Sequence, residues 1–296
     1  MNITAITPQN WTEYELIDSG NFQKLERFGT LITARPEPQA LWKPALSENV
    51  WQQKADAIFK KEKGNSEKGE WITKRNTPQH WKINYPITPK EKLTFNLSLS
   101  SFKHVGIFPE QADNWDFIYT QTQRIKATQP VRLLNLFAYT GGASLAAAQA
   151  GATVTHVDSV KSTVNWANDN AKNNGFSNIR WIVEDALKFA TREARRGNQY
   201  EGIILDPPAY GRGANGEKWV LEEQIYELLQ LCQQLLHPTH HFLVLNLYSL
   251  NFSPLIAESL LNDIFDFPKN LATNELYFTD RAERKLPLGI FARFYH

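Results

Sequence analysis

The sequence predicts an α/β fold, a mostly parallel sheet wrapped by helices, preceded by a smaller β-rich α+β module. Three observations predict it. Val131 to Val160 reads as strand, glycine turn, helix and strand, which is a βαβ unit. Short apolar runs then alternate with helical stretches as far as Leu247. The N-terminal third has no such rhythm and carries short segments broken by proline and glycine.

Residues 1–125 are expected to form the first domain and 126–296 the second. Tyr14 to Asp18 and Gly29 to Ala34 read as short strands around turns. Pro36, Pro38 and Pro44 hold an extended segment containing Trp42. Ser47 to Phe59 reads as a helix with Val50, Trp51, Ala55 and Ile58 inward. Lys60 to Glu70 is charged and glycine-bearing, hence a turn. Trp71, Trp81 to Ile83 and Leu93 to Leu99 alternate as strands do. So many tryptophans could stack bases, but their expected place is the core. Phe102 to Gln111 joins the modules, and Asp113 to Lys126 is an amphipathic helix with Trp115, Ile118, Tyr119 and Ile125 on its inward face.

The second domain opens with Val131 to Leu136, an apolar run suited to a strand buried on both faces. Tyr139-Thr140-Gly141-Gly142 is a turn whose missing Cβ atoms would let backbone approach a ligand. Ala143 to Ala150 is helical and Gly151 stops it. Thr153 to Val157 is the next strand, ending at Asp158, whose carboxylate can accept hydrogen bonds from ribose hydroxyls. The adjacent glycines are not the G-x-G-x-x-G pattern that presents amides to a pyrophosphate. They favour a cofactor without phosphates, and S-adenosylmethionine fits.

Asn178 to Val183 is a third strand, followed by Glu184-Asp185 and a helix from Ala186 to Arg196. Asp185 either reaches an adenine amino group or caps that helix. Gly202 to Leu205 is a fourth strand and runs into Asp206-Pro207-Pro208-Ala209-Tyr210. A proline pair ends the strand and fixes the backbone. It leaves a carboxylate and peptide carbonyls at the end of the sheet where open α/β folds bind ligands. Those acceptors suit an amino group being methylated, and Tyr210 offers a flat face to a base. Gly211 to Gly216 reads as a flexible, substrate-responsive loop. Trp219 to Leu236 is a long helix with Cys232 on its apolar stripe. His241 to Leu247 is a fifth strand, Ser253-Pro254 opens a helix to Phe265, and Leu271 to Thr279 with Gly289 to Tyr295 form a closing strand pair.

The combination LNLFAYTGG, VDS, WANDNAKNNG, ED and DPPAYGRG resembles the class I S-adenosylmethionine-dependent methyltransferases, and most nearly the bacterial 23S rRNA methyltransferase-like family with its cytosine-C5 and guanine members. The resemblance covers roughly residues 100–296 and extends to HVGIFPEQ upstream. It implies a Rossmann-like seven-stranded methyltransferase sheet with an antiparallel last strand. It implies cofactor contacts at Phe137, Tyr139, Thr140, Gly141, Gly142, Ala143, Asp158, Ser159, Asp185, Ala186 and Asp206. It further implies catalytic roles for Asp206, Pro207 and Tyr210, and substrate contacts at Phe108, Gln111 and Tyr248. One departure narrows the chemistry. Methylation at cytosine C5 needs a thiolate just after the fifth strand, where this chain has Asn246-Leu247-Tyr248-Ser249-Leu250. Transfer to a nitrogen of an RNA base, rRNA-like, is the expectation. A protein side chain or small molecule as acceptor, or a non-catalytic S-adenosylmethionine-binding module, are the alternatives.

Composition bounds the rest. At 42% hydrophobic residues the chain is globular. It shows no membrane-spanning run and no signal peptide, and has a single cysteine, which points to the cytoplasm. One cysteine and seven scattered histidines give no metal site. The formal net charge is only +1, low for non-specific RNA binding, but Lys60 to Lys82 is rich in lysine. Arg192, Arg195 and Arg196, and Arg281, Arg284 and Lys285, form two smaller basic groups.

Overall fold

The structure, a computed structural model, describes residues 4–62, 68–213, 216–248 and 252–296. The chain forms two compact units that interleave in sequence. The larger comprises residues 1–6, 111–276 and 289–296, and the smaller residues 7–110 and 277–288.

In chain order, β1 (Thr4–Ile6) belongs to the larger unit and the next elements to the smaller. Strands β2 (Tyr14–Gly20), β3 (Gln23–Phe28) and β4 (Leu31–Pro36) form an antiparallel meander. Helix α1 (Glu48–Lys54) follows, then β5 (Ala57–Lys61), parallel to β4, and β6 (Gly69–Thr73), antiparallel to β5. Strands β7 (His80–Thr88) and β8 (Glu91–Ser98) make a separate hairpin. The predicted helix from Ser47 to Phe59 is therefore cut short. The chain turns extended at Ala55, and Ile58 and Phe59 join the sheet between Ala34 and strand β6. Apolar residues at that spacing serve either element, and the strand partners on both sides decide.

Strand β3 reads QKLERF and buries Lys24 and Glu26. Glu26 accepts two bonds from Arg35, at 2.6 and 3.1 Å, and one from the Tyr14 hydroxyl at 2.8 Å. Lys24 bridges Glu26 and Glu37 at 3.4 and 3.2 Å. The five tryptophans of this unit are pins. The indole N–H of Trp11, Trp42, Trp71 and Trp81 donates to the backbone oxygen of Pro109, Ser19, Phe102 and Phe28 in turn, and that of Trp51 to the Asp18 carboxylate. Only Trp51 among them is fully buried.

The larger unit continues with α2 (Ala112–Lys126), β9 (Arg132–Leu136), α3 (Gly142–Gln149), β10 (Thr153–Asp158), α4 (Lys161–Asn173), β11 (Ile179–Val183), α5 (Ala186–Arg195) and β12 (Gly202–Leu205). A small hairpin, β13 (Tyr210–Arg212) with β14 (Lys218–Val220), precedes α6 (Leu221–Leu235), β15 (Phe242–Leu247), α7 (Pro254–Phe265), β16 (Ala272–Thr279) and β17 (Lys285–Tyr295). The sheet order is β1-β16-β17-β15-β12-β9-β10-β11. Strands β11, β10, β9, β12 and β15 are parallel, and β17 runs antiparallel to β15. This is the expected seven-stranded α/β sheet with its antiparallel strand. Thr4–Ile6 adds an eighth strand parallel to β16, which the sequence reading did not contain.

Leu134, Leu136, Ile203, Leu205, Leu243 and Leu245 pack on one face with Phe189, Ile225, Leu228 and Leu261 of α5, α6 and α7. Cys232 lies in the same cluster, fully buried, and burial pushes its thiol far above the ordinary range. Two expectations for the segment after the proline pair are corrected. Gly211 and Arg212 are in a strand, and Trp219 is in the paired strand rather than the helix. Ala214 and Asn215 of the expected loop lie outside the described residues, as do Ser249 and Leu250 after β15.

Candidate active site

The candidate site lies at the carboxyl ends of β9, β10 and β12, where adjacent strands leave the sheet in different directions. Leu205 pairs with Leu136 on one side and Leu245 on the other. The next residues along β9, β12 and β15, namely Phe137, Asp206 and Asn246, therefore stand at one level.

The turn after β9 is strained. Phe137 and Tyr139 both have left-handed backbone, at φ 55° and 49°, a conformation that costs a non-glycine residue about 1 kcal/mol or more. Gly141 caps α3 at φ 91°. The glycine pair works differently from the sequence expectation. A Cβ on Gly142 would lie 2.7 Å from the Trp115 ring, and one on Gly141 3.3 Å from Ala167 Cβ. The missing side chains admit neighbouring protein atoms. Beneath the turn, Ser144 Oγ is 2.9 Å from Asn135 Nδ2 and 3.0 Å from His156 Nδ1. Burial pushes the His156 imidazole down to about 3, so it is neutral.

Asp158 braces the turn. Its two carboxylate oxygens accept from Tyr139 N at 3.0 Å and Val160 N at 2.9 Å, and burial raises its carboxyl above the ordinary range. Each oxygen keeps a lone pair for a hydroxyl. Gly141 N donates back to Ala138 O at 3.0 Å. Two amides of the turn are thus satisfied within the protein, and an acidic side chain stands beside it. That donor set suits a ribose and not a pyrophosphate. Thr140 is buried, with its carbonyl held by Asn170 Nδ2 at 3.0 Å, and Ala143 and Ser159 are part-exposed beside it. Asp185 caps α5, accepting from Lys188 N at 3.0 Å, with Ala186 buried behind it. One Asp185 oxygen suffices for the cap.

Asp206 is half-buried, and among the described residues no group hydrogen-bonds to its carboxylate. Burial pushes that carboxyl up to about 7. Pro207 is buried behind it and Tyr210 is 53% exposed. The loop between is held by a residue absent from the sequence-derived site. Trp219 is 2% exposed, its Nε1 donates to Pro208 O at 2.7 Å, and its ring lies 4.8 Å from that of Phe137. Leu221 N closes the hairpin onto Ala209 O at 3.0 Å. One buried indole thus links the cofactor-side turn to the Asp-Pro-Pro loop. Its signal in sequence was a large aromatic after a glycine-rich run, which reads equally as a helix start.

Phe108, Gln111 and Tyr248 complete the predicted set. Phe108 is in the smaller unit with its ring 4.9 Å from His104. Gln111 accepts from Asn114 Nδ2 at 3.1 Å, and Tyr248 is exposed just past β15. Among the described residues no group of three or more His, Cys, Asp or Glu is placed to hold a metal, and no helix is long and apolar enough to cross a membrane.

A seven-stranded sheet of this order, five strands parallel and one antiparallel beside them, is the architecture of the class I methyltransferases. A family profile described as S-adenosylmethionine-dependent methyltransferase matches residues 51–264. The chain belongs to that family, and S-adenosylmethionine is its cofactor. The S-adenosylmethionine-dependent methyltransferase from Agrobacterium tumefaciens superposes with a TM-score of 0.90 at 37% identity, covering 99% of this chain and 93% of that one. Ribosomal RNA large subunit methyltransferase K/L of Shewanella frigidimarina is 30% identical over 164 residues, 54% of this chain and 22% of that protein. Ribosomal RNA large subunit methyltransferase I of Aeromonas salmonicida is 33% identical over 108 residues, 36% of this chain and 26% of that protein. The matches thus span about a quarter of those two curated relatives.

Proposed function

We propose that this enzyme methylates a nitrogen of an RNA base, with ribosomal RNA of the large subunit as the substrate class, in the cytoplasm. The observation that carries the reading is Asp206. It is an unpartnered carboxylate at the end of β12, followed by a buried Pro207 and an exposed Tyr210. The two ribosomal RNA methyltransferases with matching stretches support the choice of RNA. Nitrogen is favoured over cytosine C5 because the chain's one thiol, Cys232, is buried in α6 and held protonated.

We assign the ribose hydroxyls to Asp158, the adenine edge to Asp185 and the adjoining backbone to Phe137 through Ala143, with Ser159 and Ala186 completing the wall. Bound S-adenosylmethionine supplies a methyl carbon already activated by a positive sulfonium. The protein's part is positioning and proton acceptance. Asp206 and the Pro207 carbonyl accept the N–H bonds of the target amino group, which turns the nitrogen lone pair toward the methyl carbon. Tyr210 stacks on the ring. The surplus proton of the methylated nitrogen would pass to the Asp206 carboxylate and on to water. A carboxyl near 7 can take and release that proton at neutral pH. The smaller unit, with Lys60, Lys61 and Lys74 exposed and Phe102 47% exposed, is assigned to gripping RNA.

Transfer of radiolabelled methyl from the cofactor into unmethylated total RNA and total protein tests this. Label is expected in RNA. Label confined to protein removes the RNA reading. Asp206→Ala with full turnover and intact cofactor binding removes the assignment of Asp206.

A further inference from the structure

Asp206 has a neighbour whose amide is only half used. Leu205 pairs with Leu245, so Asp206 and Asn246 are side by side on adjacent parallel strands. Side chains at one level of a sheet share a face, and for these two it is the face that α2 covers: Asn246 Oδ1 accepts from Asn114 Nδ2 of α2 at 2.8 Å. Asn246 is 5% exposed. Its Nδ2 has no hydrogen-bond partner among the described residues, yet it is not one of the fully sealed polar atoms. A buried amide with half its capacity unmet is costly in the resting protein.

Which half of the amide faces outward is decided by a chain of donors. Arg293 can only donate. Its Nη1 gives to Asn114 Oδ1 at 2.8 Å and to Asp113 Oδ2 at 2.7 Å, and its guanidinium lies 4.5 Å from the centre of the Phe117 ring and 4.4 Å from that of Phe291. Asn114 must therefore turn its N–H2 toward Asn246, and Asn246 must meet it with oxygen. The Asn246 N–H2 is left pointing away from Asn114, on a strand flanked by the Asp206 end of β12 and by β17.

We propose that Asn246 is a substrate-orienting residue. Its amide donates to an acceptor atom on the same ring edge whose N–H the Asp206 carboxylate accepts. Neighbouring strands are about 4.8 Å apart, a span matching two outer atoms on the hydrogen-bonding edge of a nucleobase. The pair reads an edge that carries a donor and an acceptor together. A lysine amine or an arginine guanidinium carries donors only and leaves Asn246 unmet. The inference rests on the RNA reading above and narrows it to a base engaged by its edge.

Asn246→Asp is the discriminating variant. It keeps an oxygen for Asn114 to donate to, and replaces the outward N–H2 with a second acceptor. Transfer to unmethylated large-subunit RNA is expected to fall roughly 100-fold in kcat/KM, with the S-adenosylmethionine Kd within about twofold of wild type. Asn246→Ala is expected to lose roughly tenfold. If Asn246 only supports Asn114, Asn246→Asp transfers within threefold of wild type, and the proposal is overturned. Wild-type enzyme that labels protein and not RNA overturns the RNA reading itself, and the variant's rate on that protein fraction then decides whether Asn246 touches the acceptor.

Discussion

Glu26 in the smaller unit and Asp206 in the larger are both carboxylates withdrawn from water, and their surroundings are opposite. Burial alone would raise the Glu26 carboxyl, but Arg35 and Lys24, with the Tyr14 hydroxyl, outweigh it and hold it at about 2. Burial raises Asp206 to about 7 and nothing offsets it. A carboxylate surrounded by donors is part of the scaffold. One left without donors at a strand's end is strained in the resting protein and available to a ligand. The same contrast separates the two sheets. One hides charge in its interior by pairing it, and the other buries neutral polar groups such as Asn135 and His156 and leaves the Asp206 carboxylate without a donor at a strand's end.

The largest effect is expected at Glu26. Glu26→Ala strands Arg35 and Lys24, and is expected to cost about 3–5 kcal/mol in denaturant unfolding. Adding Arg35→Leu should recover part of that loss. A single variant with wild-type stability would show that the cluster is not a closed network. The sign with pH follows from the shift. Glu26 lies below its unfolded value of 4.5, so its contribution is complete above that pH and is lost as pH falls toward 2.

Asp206→Asn comes next. Turnover is expected to fall about 100-fold, roughly 2.7 kcal/mol of barrier, while the fold gains. Asp206 lies above its unfolded value of 3.8, so its penalty is absent at pH 4 and full above about 7. Melting curves should show the variant more stable than wild type by about 5 °C at pH 8 and equal to it at pH 4. The wild-type rate should rise with pH through about 7. A variant no more stable at pH 8 would mean that the carboxylate has a partner in solution.

Trp219→Phe keeps the ring against Phe137 and removes the donor to Pro208. It should cost about 1 kcal/mol of stability and reduce kcat roughly tenfold, with cofactor Kd unchanged by calorimetry. A fall in cofactor affinity and not in kcat would reassign the indole to the cofactor side. The smallest effect belongs to Asp185→Asn, which preserves the helix cap. Stability should stay within about 0.5 kcal/mol, and any weakening of cofactor binding then measures the second Asp185 oxygen alone.

What the sequence revealed follows the same division. Strands such as Val131 to Leu136 and Gly202 to Leu205 announce themselves because most of their residues are apolar and buried. Asp158, Asp185 and Asp206 drew attention because each stands at or just past the end of a strand. Strand β3 was invisible because three of its six residues are charged, and the burial of Lys24 and Glu26 depends on Tyr14, Arg35 and Glu37 elsewhere in the chain. The β13–β14 hairpin was hidden by glycines that read as loop. Asn246 was noticed only as a place without cysteine, since its meaning depends on a helix 132 positions earlier.

The solitary, deeply buried Cys232 has a practical consequence. Thiol reagents act on thiolates at accessible positions, and this one is neither accessible nor ionised. The native protein is therefore close to a blank background for site-directed labelling. A cysteine introduced at an exposed position such as Arg212 or Lys60 would be the sole attachment point for a fluorophore or spin label, so movement of the hairpin during turnover could be followed without first removing a native thiol.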